Sequence, residues 1–147
     1  MAIRTGASVS ASKLVFGFIA GFVAVLLFHQ PVLAVLTNVG FVKANTYSLA
    51  ATAPLGVPQV ISISFWGGVW GVVYAAVEHR FPRGAAYWLA AFAFGAILPT
   101  LVSWFVVSPL KGQAPAGGWQ VNRMITALVI NGAWGFGTAI LLRILRR

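Results

Sequence analysis

The stretch LVFGFIAGFVAVLLFHQPVLAVL (Leu14–Leu36) decides the fold class. It runs twenty-three residues without a formal charge. At ~1.5 Å rise per residue, a helix of that length crosses a hydrocarbon core about 30 Å thick. The residues before it, MAIRTGASVSASK, are basic and rich in Ser and Ala, like the start of a signal peptide. The apolar run behind them exceeds the ~7–15 residues of a signal-peptide core, so it reads as a retained anchor. Near its far end His29-Gln30-Pro31 interrupts the run with two polar side chains and a helix breaker. Polar groups inside a membrane are costly and commonly functional, which makes this triplet the first candidate site.

Three further apolar spans follow, at 59–77, 85–107 and 121–142. Without water in the lipid core, each must satisfy its backbone groups internally, so each is expected to be helical. The whole chain agrees: of 147 residues 60% are hydrophobic and 7% charged, and mean hydropathy is +0.91. A soluble domain carries about 25% charged residues. The expected fold is therefore an all-α integral membrane protein, a bundle of four transmembrane helices forming one domain over residues 1–147. Its parts are an inner segment 1–13, spans 14–36, 59–77, 85–107 and 121–142, outer connections 37–58 and 108–120, an inner turn 78–84, and a basic end 143–147.

Net charge is +9, yet the basic residues sit at span ends and form no soluble patch, so no nucleic-acid partner is expected. Arg4, Lys13, Arg80, Arg83, Arg143, Arg146 and Arg147 fall on one side; Lys43, Lys111 and Arg123 fall on the other. Seven against three places both termini in the cytoplasm of a bacterial inner membrane by the positive-inside rule. With no cysteine and no paired carboxylate, HExxH or Walker loop, neither an enzyme nor a metal or other cofactor is expected.

A weak repeat runs through the chain. GGVWG (Gly67–Gly71) in the second span matches NGAWG (Asn131–Gly135) in the fourth, and Pro31 in the first is set beside Pro99 in the third. The match reads as two tandem helical hairpins related by an axis along the membrane normal. Lipid removes the hydrophobic drive between helices, so small residues must let backbones approach. Gly17, Gly21, Gly67, Gly68, Gly71 and Gly135 are the expected packing glycines. Ser64, Gly68, Gly71, Ala75 and Glu78 form one stripe; Ala93, Ala96, Thr100 and Ser103 form another. Trp66, Trp70 and Trp134 are expected deep in the bundle, and the single acid, Glu78, is expected to pair with Arg80 or Arg83 or to stand as a cap-level charge at the interface.

Counting depth along the spans sets His29, Gln30, Ser64, Thr100, Ser103 and Asn131 in one outer layer. They are the candidate lining of a polar pocket over an apolar inner half. The expected function is that of a small non-enzymatic membrane protein acting by helix–helix association, as an accessory or assembly subunit or a homo-oligomer. The bilayer and a membrane-protein partner or second copy are its expected partners. The alternative is a small-solute or ion transporter or channel whose outward pocket around His29 takes a small ligand.

Overall fold

The computed structural model describes residues 8–147; Arg4, counted above for orientation, lies outside them with the rest of 1–7. Four helices are long and apolar enough to cross a membrane: α1 (Ala11–Asn38), α2 (Gln59–Arg80), α3 (Ala85–Leu110) and α4 (Val121–Leu145). Each outruns the apolar run that predicted it, because the helix continues into polar flanks. Ser10 caps α1, its Oγ accepting from the Lys13 N–H at 3.3 Å. At the other end Gly40, at φ +76°, turns the chain left-handed. Its N–H donates to Thr37 O and that of Phe41 to Leu36 O, the paired bonds of a Schellman stop. The first long connection holds a two-residue strand pair, β1 (Ala51–Thr52) antiparallel to β2 (Val57–Pro58).

Two helices carry a widened turn. Val25–His29 in α1 and Ser103–Val107 in α3 are π-helical, with Gln30 N–H donating to Val25 O and Ser108 N–H to Ser103 O. A proline follows each, Pro31 and Pro109. A proline ring in a tight α turn meets the carbonyl four residues back, and a five-residue turn moves that carbonyl aside. Pro109 therefore shares the local setting of Pro31, each two residues past a π turn. Pro99, which the sequence set beside Pro31, lies inside α3 ahead of its π turn.

The glycines show how the hairpins are built. A Cβ on Gly21 would strike the Gly67 carbonyl oxygen, and one on Gly71 would strike that of Gly17. On the other hairpin, a Cβ on Gly95 would strike Asn131 O, and one on Gly135 would strike Ala91 O. The Phe18 ring lies on Gly68 as the Phe92 ring lies on Gly132. Positions 17, 18 and 21 of α1 therefore correspond to 91, 92 and 95 of α3, while 67, 68 and 71 of α2 correspond to 131, 132 and 135 of α4. Backbone touches backbone at the same places in both pairs. The packing face of α3 is accordingly Ala91, Gly95, Ala96 and Thr100, all buried, while Ser103 is exposed and Ala93 only half-buried. The stripe drawn from Ala93 to Ser103 shares Ala96 and Thr100 with this face but leaves out Ala91 and Gly95, where the backbones meet.

The correspondence also exposes an asymmetry. Helices follow one another around the bundle, so α4 meets α1 and α2 meets α3 at two seams that the repeat makes equivalent. The α1–α4 seam is closed: Trp134 Nε1 donates to Gly21 O at 2.9 Å, and the Phe28 ring covers Gly137. Ala20 and Thr138, both fully buried, have Phe94 and Tyr74 as their counterparts at the α2–α3 seam. There the two rings meet edge to face with centroids 5.3 Å apart, and Trp70 lies edge-on to Phe94 at 6.3 Å. Large rings stand where the other seam has a methyl and a small hydroxyl, so α2 and α3 meet through side chains and are held apart. Towards the long connections the seam is open, with Trp66 exposed on α2, one turn from Trp70, and Ile97 and Leu101 exposed on α3. Trp66, expected deep, is 59% exposed on this rim.

Candidate functional site

The best-formed polar cluster surrounds the chain's one acid. The last turn of α2 tightens into a 3₁₀ turn, Glu78–Arg80, and Gly84 at φ +69° swings the chain into α3. Glu78 is thereby left facing inward among the helix ends, its side chain 8% exposed. Lys13 Nζ from α1 lies 3.1 Å from Glu78 Oε1, and Arg146, just past α4, donates from Nη1 to the same oxygen. Tyr87 of α3 donates its hydroxyl to Glu78 Oε2 at 3.0 Å and accepts from the Tyr74 hydroxyl at 3.0 Å. Groups carried by all four helices or their ends converge on one carboxylate. Arg143 adds a further cation, its guanidinium 4.1 Å from the Tyr87 ring centroid and 4.7 Å from that of Trp88.

Glu78 therefore does not pair with Arg80 or Arg83. Both are exposed on the turn and point away from the bundle, whereas Lys13 and Arg146 arrive from helices distant in sequence. The legible signal was the stripe itself, since Glu78 continues the buried line of Gly71 and Ala75. An acid on the packing face must find its partners on other helices.

The six candidate pocket residues separate into smaller groups. Thr100 and Asn131 come together across α3 and α4, Asn131 Nδ2 donating to Thr100 Oγ1 at 2.9 Å. Ser64 is buried but spends its hydroxyl on its own helix, donating to Val60 O at 2.8 Å. Ser103 is exposed. His29 and Gln30 are buried in and beside the π turn, with Gln30 Nε2 3.4 Å from His29 Nδ1. Gln30 Oε1 accepts from the Tyr47 N–H at 2.8 Å, and the Tyr47 hydroxyl donates to Leu26 O at 2.6 Å. This group fastens the first long connection to α1. The π turn frees a carbonyl and presents a side-chain amide at the same level, which a loop residue then uses. Among the described residues no hydrogen bond joins these groups to one another.

The packing glycines expected from sequence, Gly17, Gly21, Gly67, Gly68, Gly71 and Gly135, are all buried at helix contacts. Sequence reasoning missed Gly95, Gly132 and Gly137, which serve α3 and α4 in the same way. Their signal was the repeat, because Gly21 implies Gly95 once Gly71 is set against Gly135.

The different use of these hydroxyls has a measurable consequence. Thr100→Val removes the partner of Asn131 between helices and is expected to lower stability by about 1 kcal/mol, while Ser64→Ala, which loses only a bond within one helix, stays within about 0.5 kcal/mol of wild type. Thermal unfolding of both variants in one detergent gives the order. An equal or larger loss for Ser64→Ala would contradict the bonding described.

Among the described residues no three His, Cys, Asp or Glu side chains are placed to hold a metal ion. Comparison with family models, curated proteins and solved structures gives no match to this chain. The site has to be read from its own chemistry. What the geometry offers is fastening: buried hydroxyls and amides are paired within the bundle, and the lone carboxylate is bound by cations and a phenol.

Proposed function

We propose that this chain is a multi-pass protein of the bacterial cytoplasmic membrane, with both termini on the cytoplasmic side, and that it works by helix association without catalysis. The charge distribution supports the orientation: Lys13, Arg80, Arg83, Arg143, Arg146 and Arg147 lie at the end holding the termini, against Lys43, Lys111 and Arg123 at the other. The observation that carries the association reading is the open outer half of the α2–α3 seam beside its closed counterpart. Most of the polar groups that a solute path would need are occupied inside the bundle, by Asn131 on Thr100, Gln30 on Tyr47 and Ser64 on Val60.

The occupant proposed for the open seam is a second copy of this chain. The argument is complementarity already present in the molecule: the two hairpins are near copies, and one docks on the other along α1 and α4. The same glycine-faced hairpin, presented by a neighbour, matches a rim of Trp66, Ile97 and Leu101. Lipid tails give no hydrophobic drive for such docking, so shape and close packing must supply it.

The natural chain has no cysteine, which makes the test clean. Trp66→Cys and Leu101→Cys, oxidised in native membranes, are expected to give disulfide-linked dimers, while Val15→Cys, exposed on α1 away from the seam, should not. Monomers alone from both seam variants would overturn the reading, as would adducts only to other proteins. Equal dimerisation through Val15→Cys would do so too.

A further inference from the structure

At the end of the bundle that carries the long connections, two segments eighty residues apart in sequence meet. Asn122, in the first turn of α4, donates from Nδ2 to Phe41 O at 3.0 Å and so clamps the helix start against the chain leaving α1. A cavity of about 180 Å³ lies in the angle, lined by Phe41, Val42, Lys43, Gln120, Asn122 and Arg123. A second cavity of about 540 Å³ adjoins it across Val42 and Lys43, with Thr37 and Asn45 among its walls.

Three features give this groove a chemical preference. Lys43 and Arg123 both face the smaller cavity, and no carboxylate side chain stands at this end, since the chain's one acid is Glu78 at the other. Their charge is therefore uncompensated. No side chain caps α4, so its first-turn N–H groups and the positive end of its dipole add to the same field. The larger cavity is walled by Thr37, Gly40 and Asn45 at the end of α1. That cavity lies against the carbonyl end of α1, where an anion is disfavoured, so negative charge belongs beside α4 and a neutral polar group in the larger cavity.

The geometry points to a site for a phosphate-bearing anion. Lys43 and Arg123 hold the phosphate in the smaller cavity, and the polar remainder of the ligand reaches Asn45 in the larger. The phosphate can belong to a lipid headgroup or to a soluble anion. Exposed apolar side chains around the groove, Val39, Trp119 and Val121, place it at the level where headgroups lie. The inference does not rest on the association reading, since the site is complete within one chain.

The test uses the purified full-length protein in a mild neutral detergent, with two probes. Phosphatidylglycerol and phosphatidylcholine are offered together and retained lipid is read by native mass spectrometry. Inorganic phosphate is compared with chloride at equal ionic strength, and the melting temperature is read. Wild type is expected to retain phosphatidylglycerol at least tenfold over phosphatidylcholine, and the Lys43→Gln/Arg123→Gln pair to lose that preference. Lys111→Gln, which removes the third cation of this end outside the groove, should keep it. Lys43→Arg/Arg123→Lys should restore most of it, which separates lost charge from lost fold.

Selection of phosphatidylglycerol identifies a headgroup. A rise in melting temperature with phosphate, without lipid selection and absent in the double Gln variant, identifies a soluble phosphate compound. Absence of both effects in wild type would overturn the site, and so would loss of selection in Lys111→Gln to the same extent as in the groove variant.

Discussion

Replacing Glu78 with alanine is expected to cost about 3 kcal/mol of stability, enough to lower the melting temperature by on the order of 10 °C for a chain of this size. The reasoning runs partner by partner. Lys13, its side chain 16% exposed, loses the only carboxylate within reach among the described residues and cannot fully return to water. Arg146, at 43% exposed, can turn outward, so its lost ion pair contributes little. The Tyr87 hydroxyl loses its acceptor in a buried position, at about 1 kcal/mol, and the Tyr74 hydroxyl behind it loses the fixed orientation of its own. The loss falls near the low end of the range for breaking buried ion pairs because one of the two cations can rehydrate.

Glu78→Gln removes the charge and keeps one carbonyl oxygen, which serves either Tyr87 or Arg146, since those two use different carboxylate oxygens. Its loss should be smaller than that of the alanine variant but still measurable. Unfolding of the three proteins in one detergent, followed by tryptophan fluorescence, measures this directly. A Glu78→Ala protein melting within about 2 °C of wild type would remove Glu78 from its role as the common fastening of the four helices.

That fastening shows what a linear sequence conveys and what it hides. The four spans were legible because burial in lipid imposes a simple rule on composition and length, and α1 to α4 lie where hydropathy placed them. The glycine stripes of α1 and α2 were legible for a related reason, since small residues four apart mark close backbone approach whatever the partner is. Partners were not legible. Glu78 stands two residues from Arg80 and sixty-eight from Arg146, yet the distant arginine binds it, because the turn after α2 carries the nearer one outward.

Depth along a span was a fair guide to level and a poor guide to direction. His29, Ser64, Thr100 and Asn131 were assigned to one layer by counting residues, but a layer is a plane and a site needs side chains facing one another. Ser64 resolved its own hydroxyl by bonding to Val60 O, an option open to any helical serine and invisible in spacing. The stripe counted on α3 holds at Ala96 and Thr100 but not at Ser103, which stands exposed where the helix widens into the π turn Ser103–Val107. The open seam was hidden for a different reason. It depends on comparing Ala20 with Phe94 and Thr138 with Tyr74, and those pairs can be set side by side only once the glycine contacts fix the register of the repeat.

The repeat also makes a quantitative demand. Gly21 and Gly95 occupy equivalent places, each with the backbone of the facing helix where a Cβ would stand, so Gly21→Val and Gly95→Val should be about equally damaging. Each forces two helices apart along a face of small residues that has no flexible side chain to yield. A cost of at least about 3 kcal/mol is expected, at or beyond the upper end for overpacking a core. In an expression trial both variants should fail to accumulate or should melt far below wild type.

Gly68 and Gly132 offer the internal control, because the atoms that a Cβ would meet there belong to the Phe18 and Phe92 rings, which can rotate or shift. Alanine at either should cost less, about 1–2 kcal/mol, and shortening the ring in the same chain, Gly68→Ala with Phe18→Leu, should recover part of the loss. The exposed turn supplies a second control: Gly56, at φ +70° with open space around it, should cost only about 1 kcal/mol on substitution by alanine, from backbone strain alone. A large loss for Gly21→Val beside a small one for Gly95→Val would mean that the second hairpin is not held as the first is. The correspondence between the halves, and the open seam read from it, would then fall together.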